Sequence, residues 1–232
     1  FLLIYQYFIW VLHCNRVFRL GYLLPISAGF LSGYLLKFLV NWIDIDDYKI
    51  NNNNFIFEII CPIPWVWSFL NLPLFDAIIF SCITVTLIGI SFVDFHTMQI
   101  PLIFVIMGAI SVLIAIFKKS IYLSSAAYGI FVGAIIPLMI MGLMWLITKR
   151  QGMGFGDIQL GFVLGAWLGP MRMAITLFFA SVLSLIVWIA VSLVHGFDKN
   201  RAIPMGPFLS LAGTGVYVGS FYYPELFHLL II

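Results

Sequence analysis

Apolar residues run through this chain in long stretches separated by short polar breaks, and about twenty of them in helical form cross a hydrocarbon core of roughly 30 Å. Seven such runs can be placed, at Gly21–Ile43, Leu74–Val93, Leu102–Phe117, Ile121–Ile147, Ile158–Leu168, Met173–Val194 and Ile203–Tyr223. Stretches such as Leu102–Phe117 and Ile121–Ile147 are continuous rather than alternating, which argues against a membrane β-barrel. The pattern predicts an all-α chain, a polytopic transmembrane helix bundle of about seven spans, with six to eight as the range. The range reflects Phe55–Pro73, where Pro62, Pro64 and Pro73 fit either an interfacial stretch or a broken extra span. Residues 1–20 form an extra segment whose basic Arg16 and Arg19 follow its apolar run, the reverse of a secretory signal peptide.

The polar breaks are Asp44–Asn54, Asp94–Gln99, Lys118–Ser120, Thr148–Asp157, Gly169–Arg172, His195–Ala202 and the tail after Pro224. Alternate crossing puts Asp94–Gln99, Thr148–Asp157 and His195–Ala202 on one side and Lys118, Lys119 and Arg172 on the other. Lys149, Arg150, Lys199 and Arg201 then mark the first of these sides as cytoplasmic by the positive-inside rule. The chain divides into an N-terminal segment, residues 1–73, and a membrane-embedded domain, residues 74–232. No internal repeat points to an inverted-repeat transporter.

Composition sharpens this picture and removes several function classes. With 63% hydrophobic and 9% charged residues, the chain carries more apolar surface than a water-soluble domain can bury. A formal charge of +2 without any Lys/Arg block gives no footprint for nucleic acid. Cys14, Cys61 and Cys82 form no CxxC pair, so neither zinc nor a disulfide framework is expected.

Carboxylates are the informative exceptions, because charge at membrane depth is costly and usually functional. Asp44, Asp46, Asp47, Glu58, Asp198 and Glu225 fall in or beside polar breaks and read as solvated loop charges, and Asp76 reads as snorkelling at a span entrance. Asp94 ends an apolar run ahead of Ile100-Pro101, so Asp94–Pro101 looks like a tight corner with a carboxylate at its upstream edge. Asp157 closes Gly152-Met153-Gly154-Phe155-Gly156-Asp157, immediately before the helix expected from Ile158. Glycines at alternate positions allow the close approach needed to bring Asp157 against a neighbouring helix. Each Asp alone also fits a plain helix end or N-cap.

Together, on one predicted face, they are the minimum equipment of aspartic proteolysis. One ionised carboxylate activates water while its protonated partner polarises the peptide carbonyl, with no metal and no other nucleophile. The dipole of the helix from Ile158 favours charge on Asp157, which points to Asp157 as base and Asp94 as acid. His96 reads as an interfacial loop histidine, and Trp10, Trp42, Trp65, Trp67 and Tyr223 fit an aromatic belt.

These residues resemble the bacterial prepilin leader peptidases of type IV pilus and type II secretion systems, a family of membrane aspartic peptidases. Asp94 is followed after five residues by Ile100-Pro101; Gly154-Phe155-Gly156-Asp157 matches the family's Gly-x-Gly-Asp; and Pro204-Met205-Gly206-Pro207 matches its Pro-x-Gly-Pro entry to the last helix. The resemblance covers about residues 74–223 in the family's order. It implies catalytic Asp94 and Asp157, supported by Ile100, Pro101, Gly152, Gly154, Gly156, Pro204, Gly206 and Pro207, in an enzyme of the bacterial inner membrane. It also implies removal of a basic leader from prepilin or pseudopilin precursors at the cytoplasmic face, without a cofactor. Many members N-methylate the new terminus with S-adenosylmethionine. This chain lacks the two CxxC pairs of longer members, has Gln159 where a Lys is usual, and only loosely matches the Gly-Ser-Phe-Leu-Asn segment at Gly29–Gly33. S-adenosylmethionine is therefore expected only if methylation is retained. The competing classes are a proton-coupled transport protein and a catalytically silent accessory subunit of a pilus or secretion assembly.

Overall fold

The computed structural model of the protein describes residues 2–43, 45, 48–51, 54–149, 154–197 and 203–225, giving backbone alone for residues 2–21, 144 and 148. Its helices are α1 (Leu2–Ile43), α2 (Ile56–Ile60), α3 (Pro62–Asn71), α4 (Leu74–Thr97), α5 (Leu102–Phe117), α6 (Leu123–Ile130), α7 (Ile136–Thr148), α8 (Phe155–Leu168), α9 (Pro170–His195) and α10 (Gly206–Tyr222). A π-helical turn, Phe131–Ile135, joins α6 to α7. No strand occurs among the described residues, and the expected all-α, polytopic class holds.

Among the described residues four stretches are long and apolar enough to cross a membrane by themselves: Tyr22–Ile43, Leu74–Thr97, Leu123–Ile147 and Pro170–His195. Shorter apolar helices occupy Ile56–Asn71, Leu102–Phe117 and Phe155–Leu168. At 1.5 Å per residue α5 and α8 reach only about 21–24 Å, short of a full hydrocarbon core. Of the seven predicted runs these are the ones whose sequence boundaries are tightest. Pro101 and the Lys118–Lys119 pair bracket α5; the glycine motif and Gly169 bracket α8.

The chain forms two compact units that meet within α4, at Ser81/Cys82. The first contains α1, α2, α3 and the start of α4. Gly29, Gly33, Leu36, Lys37 and Val40 bury one face of α1 at helical spacing. A Cβ on Gly29 would enter the backbone of Pro62, and one on Gly33 would lie 2.5 Å from the Phe57 carbonyl oxygen. The Pro-rich stretch thus becomes α2 and α3, with Pro62 at a first-turn position where its missing N–H has no helical partner to lose.

Glu58 corrects the sequence reading. It is buried on α2, 3% exposed, and pairs with Lys37 at 3.3 Å, while Lys37 Nζ also donates to the Asn54 carbonyl at 2.7 Å. The pair spans 21 residues, beyond what periodicity reveals. One turn on, Asn41 brackets the Ile50 peptide, accepting its N–H at 2.7 Å and donating to its carbonyl at 3.2 Å.

In the second unit the segment from α6 through the π turn runs antiparallel to α8 in backbone contact. Gly129 faces Gly165, Gly133 faces Gly161, and Ser125 faces Gly169. Each facing glycine carbonyl points at the position where the opposite residue would carry its Cβ, the arrangement of reciprocal Cα–H···O contacts. Small residues four apart on both strands of the contact permit this approach. Pro137 falls four residues after Gly133 and has no N–H to offer that carbonyl in α-helical register, which is where the π turn lies. At the far end of α8, Trp167 stacks on Tyr217 of α10 at 4.8 Å, and the Arg172 guanidinium sits 5.8 Å from the same ring.

Candidate active site

The sequence placed Asp94 at the edge of a loop; the structure puts it inside the last turn of α4, which continues to Thr97. The polar residues after Asp94 extend the helix rather than end it, because they bond back to it. Thr97 Oγ1 donates to the Val93 carbonyl at 2.9 Å, and His96 Nδ1 lies 2.8 Å from the Phe92 carbonyl. The chain turns only at Met98, which takes a left-handed φ of 53° while its N–H bonds Asp94 O at 2.8 Å. Pro101, buried and extended, then opens α5.

Asp94 is 4% exposed. Its Oδ2 accepts the backbone N–H of Gly206 at 2.8 Å, across 112 residues of sequence. Gly206 is the first residue of α10, with Pro207 next, so the carboxylate sits at a helix N-terminus where both a free N–H and the helix dipole favour negative charge. A Cβ on Gly206 would stand 2.7 Å from Asp94 Oδ2. The glycine of the Pro-x-Gly-Pro segment is therefore needed for access to the carboxylate.

Asp157 is likewise already helical. α8 begins at Phe155, with Gly154 extended at φ −71°, ψ 146° before it. The Asp157 carboxylate accepts the Gly154 N–H at 3.1 Å, and Asp157 N–H donates to Gly154 O at 3.2 Å. This third-position carboxylate returning to the flanking N–H is one half of a capping box, and it starts the helix three residues before the expected Ile158. A Cβ on Gly156 would lie 2.9 Å from Ile100 Cβ. Two expected supporting residues thus pack on each other, tying the turn after α4 to the start of α8.

Asp157 precedes the apolar run Ile158–Leu168. Burial, and then the negative charge of Asp94, push its carboxyl up to about 6, against the opposing Gly154 hydrogen bond. The two carboxylates therefore feel one another. Of the remaining expected residues, Pro204 and Pro207 are half-buried around the start of α10, and Gly152 lies outside the described residues. His96 follows Asp94 by two helical positions, about 200° around the helix axis. Its ring is exposed and stacks on Tyr48 at 4.5 Å.

Among the described residues no group of three His, Cys, Asp or Glu gathers as for a metal. Gly29 and Gly33 of the loosely matching N-terminal segment lie against the backbones of α3 and α2. The sequence reading overlooked the Gly129–Gly133 and Gly161–Gly165 contacts that fix α8 and with it Asp157. Their signal, small residues at intervals of four, was present in the chain.

Residues 81–189 match the model of the type IV leader peptidase family. Among curated proteins, the prepilin leader peptidase/N-methyltransferase of Pseudomonas putida is 30% identical over 139 residues, which is 60% of this chain and 48% of that protein. The protein of the same name from Dichelobacter nodosus is 34% identical over 136 residues, 56% of this chain and 44% of its own length. That of Legionella pneumophila is 37% identical over 82 residues, 35% of this chain and 29% of that protein. The chain spans about half the length of the first two relatives. No solved structure matches.

Proposed function

We propose, from the match of residues 81–189 to the model of the type IV leader peptidase family, that the protein is a membrane-embedded aspartic endopeptidase with Asp94 and Asp157 as its catalytic pair. Its substrates are prepilin-like precursors, type IV pilins or type II pseudopilins, cut after the basic leader at the cytoplasmic face of the inner membrane. The observation that carries this reading is the convergence of three separate segments on one carboxylate pair. Gly206 N–H holds Asp94, Gly156 seats Ile100, and the charge of Asp94 reaches Asp157.

Such a pair needs unlike partners, one charged and one protonated. Each carboxylate accepts one backbone N–H at a helix start, Asp94 from Gly206 and Asp157 from Gly154, and the charge of Asp94 beside Asp157 is what favours the proton on Asp157. In this scheme Asp94 activates the water and Asp157 polarises the scissile carbonyl, opposite to the assignment drawn from the dipole of α8 alone. The proton belongs to the coupled pair, and it moves between the two groups during turnover.

The test is co-expression with a prepilin-like substrate, with leader loss followed by mass for wild type, Asp94→Asn and Asp157→Asn. Cleavage abolished by either change, with the protein still inserted, supports the reading; persistent cleavage in both variants sinks it. Transfer of a methyl group from S-adenosylmethionine forms no part of the proposal, because the chain lacks the CxxC pairs and its N-terminal glycines are used in packing. Robust addition of one methyl to the processed terminus would reverse that view.

A further inference from the structure

We infer that Ser210 is a positioning residue of this carboxylate pair, its hydroxyl holding the carboxyl of Asp94 through one water. The inference rests on the aspartic-peptidase reading above for its activity readout, and on geometry for the rest. Ser210 lies one turn beyond Gly206 on α10, on the buried face formed by Gly206, Leu209, Ser210, Gly213 and Val216. It is 4% exposed, and its Oγ has no hydrogen-bond partner.

That condition is unusual within this protein. Serine and threonine hydroxyls in its helices return to a carbonyl of the preceding turn: Ser91 to Leu87, Ser111 to Met107, Thr176 to Arg172, Ser181 to Leu177, and on α10 itself Ser220 to Tyr217. Ser192 of α9 shares the unpartnered state, but α9 carries none of the motif residues. A buried hydroxyl without a partner is destabilising, and Ala at the same helical position would avoid the penalty. A hydroxyl held free at this site has a use if the group it serves is the carboxylate anchored one turn away. Asp94 already takes the Gly206 N–H through Oδ2, and a second donor on the same helix face would fix the plane of its carboxyl for attack on one side.

The experiment compares Ser210→Ala, Ser210→Thr and Ser220→Ala in the full-length protein. Ser210→Ala is expected to remain folded while kcat falls about ten- to a hundredfold, the loss of one hydrogen bond to a charged group, with KM little changed. Ser210→Thr, which keeps the hydroxyl, retains most of kcat, and Ser220→Ala behaves as wild type. The pH–rate profile of Ser210→Ala shifts, and so do the infrared carboxyl bands identified by their loss in Asp94→Asn. Wild-type kcat with an unmoved profile and unmoved bands overturns the inference, as does a kcat loss shared equally by Ser210→Thr. If Asp94→Asn and Asp157→Asn both cleave, the peptidase reading fails by itself, and the infrared comparison still decides whether Ser210 holds Asp94.

Discussion

Gly161→Ala tests the packing that places Asp157. The added Cβ would point into the Gly133 carbonyl, well inside the 3.0 Å that real Cβ contacts respect, and the obstacle is backbone of the π turn, which cannot rotate away. Relief requires α8 to back off by about 1 Å or more, weakening dispersion along the contact. Losing the reciprocal carbonyl contacts at Gly133–Gly161, each ~0.5–1 kcal/mol, costs about 1–2 kcal/mol, and loosening the Gly129–Gly165 level costs about as much again. The expected destabilisation is about 2–4 kcal/mol, with cleavage reduced further because Asp157 sits one turn from Gly161. Gly219→Ala is the control, since its Cβ would meet nothing within 4 Å and Ala is the better helix former by ~1 kcal/mol. Equilibrium unfolding of both variants in detergent, beside leader-cleavage rates, measures the difference. If Gly161→Ala is as stable as Gly219→Ala, the backbone contact is not what holds α8, and the reasoning fails.

Three further outcomes are expected. Breaking the buried pair singly, by Lys37→Met or Glu58→Gln, destabilises the first unit by about 3–5 kcal/mol, while the double change recovers most of it; a double-mutant cycle showing additivity refutes the coupling. The Asp157 carboxyl, raised to about 6, holds a proton that the unfolded chain releases near 3.9. Its contribution favours the folded state below about pH 4 and is lost as pH rises to about 6, so the melting temperature of Asp157→Asn relative to wild type increases across that window. A relative melting temperature flat from pH 4 to 7 contradicts the raised value. Gly206→Ala crowds Asp94 Oδ2 at 2.7 Å and is expected to lower kcat by about a hundredfold or more with the protein folded; normal kcat would show that the Gly206–Asp94 contact is dispensable.

The helices were readable where the chemistry that ends them is local. Pro101 and Lys118 bracket α5, and its residues follow from the sequence without adjustment. The same local logic misled at Asp94 and Asp157, because polarity was taken as the end of each helix. His96 and Thr97 instead bond back to the preceding turn, and Asp157 returns to Gly154. A polar side chain that satisfies the backbone behind it lengthens a helix. Glu58 was misread for a different reason: its partner lies on another helix, and no periodicity within α2 can announce Lys37. The glycines of α6 and the π turn that face those of α8 were legible as spacing, but their meaning depends on antiparallel register, which only the folded chain supplies.

The same distinction governs the chemistry proposed for the two carboxylates. Read along the chain, Asp157 has the helix dipole and Asp94 has nothing, so charge belongs on Asp157. In the proposed scheme the order reverses, because Asp94 gains a donor from Gly206 that a local reading does not supply, while Asp157 has the charge of Asp94 beside it. Local dipoles contribute at most about 1–2 kcal/mol, whereas removing a carboxylate from water beside a like charge can shift its titration by several units. In that scheme the contact from a distant helix overturns the order that the local dipole suggests, and an acid–base pair requires that the two carboxylates differ.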